Sequence, residues 1–155
     1  MPTLEVQEEL KVEVNRLWKA SKDADTLLPK LVPEFIRSHE RLQGDGGPGT
    51  VRIVHFGPGI PQATPAKEHI DLLDDSNYTL SYTVIDGVGH QYSLLKPTIT
   101  FTPGVDATTT LAKWSMEYQP VGEQGPPEAA RIAAVHVFKA MEAYLLSDPS
   151  QYLKF

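Results

Sequence analysis

The sequence has no cysteine. That excludes disulfides, zinc–thiolate centres and a thiol nucleophile, and it fits a reducing compartment. Long apolar runs are missing too; none approaches the ~20 residues of a membrane-spanning helix. The first ten residues carry Glu5, Glu8 and Glu9 where a secretory leader has a basic start and an apolar stretch. Basic residues number 14 against 20 acidic ones, for a formal charge of −6, and they are scattered. Stable binding to a phosphate backbone needs clustered cations. The expectation is a cytoplasmic chain with no membrane attachment and no stable nucleic-acid complex. The sequon Asn77-Tyr78-Thr79 is discounted on the same ground. His39, His55, His69, His90 and His136 fall in no H-x-H or H-E-x-x-H pattern, so no metal site is expected. No serine stands in a G-x-S-x-G context, and no cofactor is expected.

What is present is strand patterning followed by one long helix. The 155 residues suit a single domain. Leu4 to Leu10 alternates, and Val12 and Val14 extend the same spacing, which predicts one long strand. A short helix is expected over Asn15–Ala20 and a second over Thr26–Val32, ended by Pro33. Strands are predicted from about Phe35 to Gln43, then over Thr50–Phe56, Ala66–Asp74, Tyr78–Val84, Tyr92–Thr102 and Thr108–Gln119. Asp86-Gly87-Val88-Gly89 is read as a turn, and Pro97 as the mark of an edge strand or a bulge. Pro126-Pro127-Glu128 opens a helix over Ala129–Leu146. Strands in succession joined by short turns pair antiparallel, and the long helix is the only element large enough to cover the sheet. The fold class is therefore α+β.

Gly44-Asp45-Gly46-Gly47-Pro48-Gly49 formally satisfies G-x-G-x-x-G. A nucleotide loop must open a helix. A strand follows here, so the loop is read as a turn whose glycines permit positive φ.

This loop with Thr50 resembles the signature loop of the plant pathogenesis-related class 10 family, the Bet v 1-like proteins. Leu17-Trp18-Lys19-Ala20 and Leu28-Pro29-Lys30 resemble the family's paired short helices. Lys67 to Asp74, Asn77-Tyr78 and Tyr82 to Gly87 resemble its central strands, and Glu142 to Leu146 its C-terminal helix end. The resemblance implies a curved seven-stranded antiparallel sheet around the long helix, with two short helices between the first two strands. It also implies an internal cavity for small hydrophobic or amphipathic plant metabolites or hormones: cytokinins, flavonoids, sterols and fatty acids. The expected setting is plant defence or stress, and the expected state a monomer.

On that basis the candidate ligand contacts are Arg52, Val54 and Phe56 on one face of their strand, Glu68 and His69, Leu80 and Tyr82, Phe101, and Phe138, Met141 and Glu142 with Ala134 on the long helix. The resemblance places Arg52 at a lysine position on the cavity side. It would anchor a carboxylate, hydroxyl or phosphate, or else extend from the sheet rim to water. Tyr82 would meet a ligand or a core partner. Of Glu68 and His69 only one can face inward, and Glu68 is preferred; the competing reading is a solvated edge pair. The alternative function is a weak ribonuclease, using the glycine loop with Arg52, Glu142 and Tyr144. Condensing enzymes resembling norcoclaurine synthase need a lysine where Leu80 stands, which argues against that chemistry. An abscisic-acid-type receptor would need a gate loop in place of Asp86-Gly87-Val88-Gly89.

Overall fold

The structure, a computed structural model, describes residues 2–60, 64–86 and 91–153. Its elements are β1 (Thr3–Leu10), α1 (Val14–Lys22), α2 (Ala24–Leu31), β2 (Ile36–Gln43), β3 (Val51–Phe56), β4 (Ala66–Asp74), β5 (Thr79–Asp86), β6 (Tyr92–Pro103), β7 (Thr110–Pro120) and α3 (Glu128–Ser147). The strands form one curved sheet in the order β1-β7-β6-β5-β4-β3-β2. Every pairing is antiparallel. This is the α+β architecture expected.

Alternation makes the sheet one-sided. On β7, Ala112, Trp114, Met116 and Tyr118 are buried, while Leu111, Glu117 and Gln119 at alternate positions are exposed. α3 answers with Ala134, Phe138, Met141 and Leu145, spaced four, three and four, which puts them on one helical stripe. The Phe138 ring meets Phe101 edge-on at 6.1 Å, and Trp18 of α1 closes the other side of Phe101 at 6.4 Å. Phe101, Leu10, Leu17 and Leu145 are among the most deeply buried side chains.

The first strand is shorter than its alternation predicted. β1 ends at Leu10, and Val14 opens α1. Val12 and Val14 are buried as expected, but by a turn rather than a strand. Side chains hold that turn: Glu142 accepts the Lys11 N–H at 2.7 Å, and the Thr110 hydroxyl donates to the Val12 carbonyl at 2.7 Å. Even spacing of valines reports burial, and a tight turn between two elements produced it here.

Pro97 marks no bulge, but it stands where β6 is unpaired on its β5 side, a local edge. β6 is an interior strand, and Pro97 pairs with Met116 of β7. The β5–β6 ladder covers only Thr79–Ser81 against Thr98–Thr100. It stops one residue short of Pro97, which has no N–H to contribute. The predicted turn at Asp86-Gly87-Val88-Gly89 lies, beyond Asp86, outside the described residues.

The glycine loop is a turn. Gly44, Gly46 and Gly49 have φ of 96°, 103° and 90°, the left-handed region that side chains disfavour. The Gly46 N–H donates to the Thr50 hydroxyl, and the Gly49 N–H donates to the Ile70 carbonyl. The loop is thereby tied to β4, and β3 rather than a helix follows it.

Candidate functional site

Between the sheet and α3 lies a cavity of about 560 Å³. Its wall is mostly apolar: Leu80 of β5, Trp114 and Met116 of β7, and Phe138 and Met141 of α3 are representative. Of the predicted contacts, Arg52, Val54, Phe56, Glu68, Leu80, Tyr82, Ala134, Phe138 and Met141 line it. Strand alternation explains the strand members, since residues two apart share a face, and helical spacing explains Ala134, Phe138 and Met141 on α3.

Three predicted contacts lie elsewhere. His69 points outward, where Nδ1 is 2.8 Å from Asp71 Oδ1 and the Thr83 hydroxyl also donates to Asp71. It is excluded from the cavity because its neighbour Glu68 takes the inner face. Phe101 is 1% exposed and packed between Trp18 and Phe138, so it is core. Glu142 sits beside β1, holding the Lys11 N–H with Lys139 Nζ 3.7 Å away.

One end of the cavity is polar. Arg52 and Glu68 stand directly opposite each other in the β3–β4 register, so both side chains emerge on the same side. Arg52 Nε donates to Glu68 Oε1 at 2.9 Å, and Nη1 donates to Asp25 Oδ1 of α2 at 2.6 Å. Arg52 is 8% exposed and Glu68 6%. The guanidinium lies 5.3 Å from the Tyr82 ring centre. Burial alone would lower the Arg52 pKa, but Glu68, Tyr82 and Asp25 more than offset it and keep the group charged. Burial pushes the Glu68 carboxyl up despite Arg52, and burial followed by Glu68 pushes up the Tyr82 phenol.

His39 completes this end. It pairs with Val54 across β2–β3 and lines the cavity beside Ile36. Burial, then Arg52, lowers the His39 pKa to about 4. Its Nδ1 is the one buried side-chain polar atom among the described residues that has no hydrogen-bond partner.

Asp25 and His39 were not legible as site residues. Positions 36 and 39 of a regular strand face opposite sides. The β2–β3 register shifts between Ile36 and Ser38, and such a bulge turns His39 onto the same side as Ile36. Alternation gives no sign of it. The Arg52–Glu68 pair had a usable signal: both had been placed inside, on adjacent antiparallel strands.

The ribonuclease set is not brought together. Arg52 is committed to Glu68 and Asp25 inside the cavity, Glu142 to Lys11 at the end of β1, and Tyr144 packs near Tyr152. General acid–base cleavage needs its groups on one bond. No lysine lines the cavity among the described residues, and Leu80 forms part of its wall.

Comparison with known proteins agrees with this geometry. Residues 1–148 match the model of the pathogenesis-related protein Bet v 1 family. Pathogenesis-related protein B of Petroselinum crispum is 36% identical over 152 residues, covering 93% of this chain and 96% of that protein. The crystal structure of ginseng major latex-like protein 151 from Panax ginseng superposes with a TM-score of 0.83 at 20% identity, covering 92% and 96% of the two chains. Norcoclaurine synthase from Thalictrum flavum, in complex with dopamine and hydroxybenzaldehyde, superposes at 0.75 with 22% identity over 97% and 89%. At those identities the two structures share the fold alone. The family match over nearly the whole length, together with the helix-gripped sheet, makes this chain a class 10 pathogenesis-related plant defence protein of the Bet v 1 family.

Proposed function

We propose that the chain binds small hydrophobic or amphipathic plant molecules in its cavity, as a monomeric cytoplasmic protein of defence or stress responses. The observation that carries this is the cavity itself: about 560 Å³, with an apolar wall and one polar end. Small-molecule sites run to ~300–1,000 Å³ and combine an apolar lining with a few polar groups that set orientation. Met116 and Met141 in the wall repack at little cost, which suits a site that accepts varied shapes. Cytokinin-like hormones, flavonoids, sterols and fatty acids are the expected classes.

Displacement of a cavity-bound fluorescent hydrophobic dye tests the reading. A cytokinin or flavonoid is expected to displace the dye saturably at micromolar concentration. Ala134→Trp, which fills the cavity from α3, should abolish dye binding while the thermal melt stays cooperative. No displacement by any of the four classes, or unchanged binding in a folded Ala134→Trp protein, would refute it.

A further inference from the structure

We propose that the β7–α3 connection, residues 121–127, is a strap across the mouth of the cavity, fastened by the Tyr92 hydroxyl, so that this one hydrogen bond sets how fast ligand enters and leaves. This rests on the ligand-binding function proposed above and adds its control.

The place of the mouth comes from the topology. Alternate connections of an antiparallel sheet share one end, which groups the β3–β4, β5–β6 and β7–α3 connections. All three contribute to the cavity wall: Ile60 and Thr64, then Gln91 and Tyr92, then Pro126 and Pro127. Thr64, Gln91 and Pro126 are exposed, so the cavity reaches water at this end.

The strap is loosely held. Residues 121–126 are all exposed. A Cβ added at Gly122 or Gly125 would meet nothing within 4 Å, so the segment spans a gap rather than packing on the body. At its start the Val121 N–H donates to the Gln91 carbonyl at 2.8 Å. At its end Pro126 and Pro127 have no N–H to give, and the Pro127 carbonyl accepts the Ala130 N–H of α3. Between these points, one hydrogen bond from the rest of the protein reaches residues 122–125 among the described residues. The Tyr92 hydroxyl donates to the Gly125 carbonyl at 2.6 Å.

The post that holds the strap is firm. Tyr92 stands opposite Pro120 in the β6–β7 ladder, and its ring packs on the core and meets Tyr118 edge-on at 6.2 Å. An exposed segment with few packing contacts opens at low cost. One exposed hydrogen bond adds little to overall stability. It acts on the open fraction of the mouth, however, and a gate affects entry and exit alike.

Stopped-flow exchange of the cavity-bound fluorescent dye reads the strap. Tyr92→Phe removes only the hydroxyl. Its association and dissociation rates should both rise ~3–10-fold, the worth of one neutral hydrogen bond. Its equilibrium affinity should stay within about twofold of wild type, because the bound and free states gain the same opening. Tyr118→Phe takes the same atom from the adjoining ring, which lies outside the cavity wall, and should leave both rates unchanged. Unaltered rates in Tyr92→Phe would overturn the inference, and so would equal acceleration in Tyr118→Phe. Faster release with unchanged entry, and affinity lost in proportion, would make the hydroxyl a ligand contact and overturn it as well. Each of these results leaves ligand binding standing. A wild-type protein that binds no dye would sink both readings.

Discussion

Two acid–base clusters sit back to back on the same strands. Inside, Arg52 of β3 and Glu68 of β4 form a pair less than a tenth exposed, braced by Asp25 and capped by Tyr82 and His39. Outside, one residue along, His69 bonds to Asp71, which also accepts from Thr83 of β5. The residue types are alike and the consequences opposite. Outside, burial is the largest single influence on the Asp71 carboxyl and pushes it up, but hydrogen bonds from Thr83 and His69, with the charge of Lys96, together hold it low. Inside, burial dominates and pushes Glu68 up although an arginine touches it. Which face of the strand a residue takes decides whether its charge is a solubility feature or a structural commitment.

Removing one member of the inner pair has the largest expected effect. Arg52→Met leaves Glu68 buried and unpaired, and should lower urea-unfolding stability by about 3–5 kcal/mol. Arg52→Met with Glu68→Leu should regain most of that loss, because both charges then leave the interior. A single substitution as mild as one on the outer face would erase the contrast between the two clusters.

Acid titration reads the inner cluster second. His39 binds its proton near pH 4 when folded and near 6.5 when unfolded. Between those values the unfolded chain holds more protons, so stability falls as pH drops from about 6.5 to 4, by roughly 1–3 kcal/mol from this group. His39→Leu should flatten that limb in denaturation curves taken at stepped pH. Glu68 acts with the opposite sign: its raised pKa contributes stability at low pH that fades as pH rises past the ordinary carboxylate value. An unchanged slope in His39→Leu would show that other groups set the limb.

The outer cluster should give the smallest effect. His69→Ala is expected to cost less than about 0.5–1 kcal/mol, diminishing further in salt. A larger loss would mean that the outer cluster is more than a solvated group.

The fold was legible because burial and period agreed along most of the chain. The alternation of Trp114, Met116 and Tyr118 and the helical spacing of Phe138 and Met141 each point to one buried face. Val12 and Val14 misled because a tight turn can bury residues at strand spacing. The site was half legible. Arg52, Glu68, Leu80 and Tyr82 follow strand alternation, whereas His39 depends on a bulge. Phe101 and Glu142 show the converse limit. Period places a residue on the inner side without saying whether it reaches the cavity, the core behind it or the rim.

The most direct measurement of the central claim uses the three methionines, Met1, Met116 and Met141. Two of them, Met116 on β7 and Met141 on α3, face each other's side of the cavity wall. In methyl-labelled spectra, titration with a cytokinin or flavonoid that displaces the dye should shift the Met116 and Met141 signals with one shared midpoint, equal to that of dye displacement. Static Met116 and Met141 signals at concentrations that displace the dye would place binding outside the cavity and contradict the proposed function.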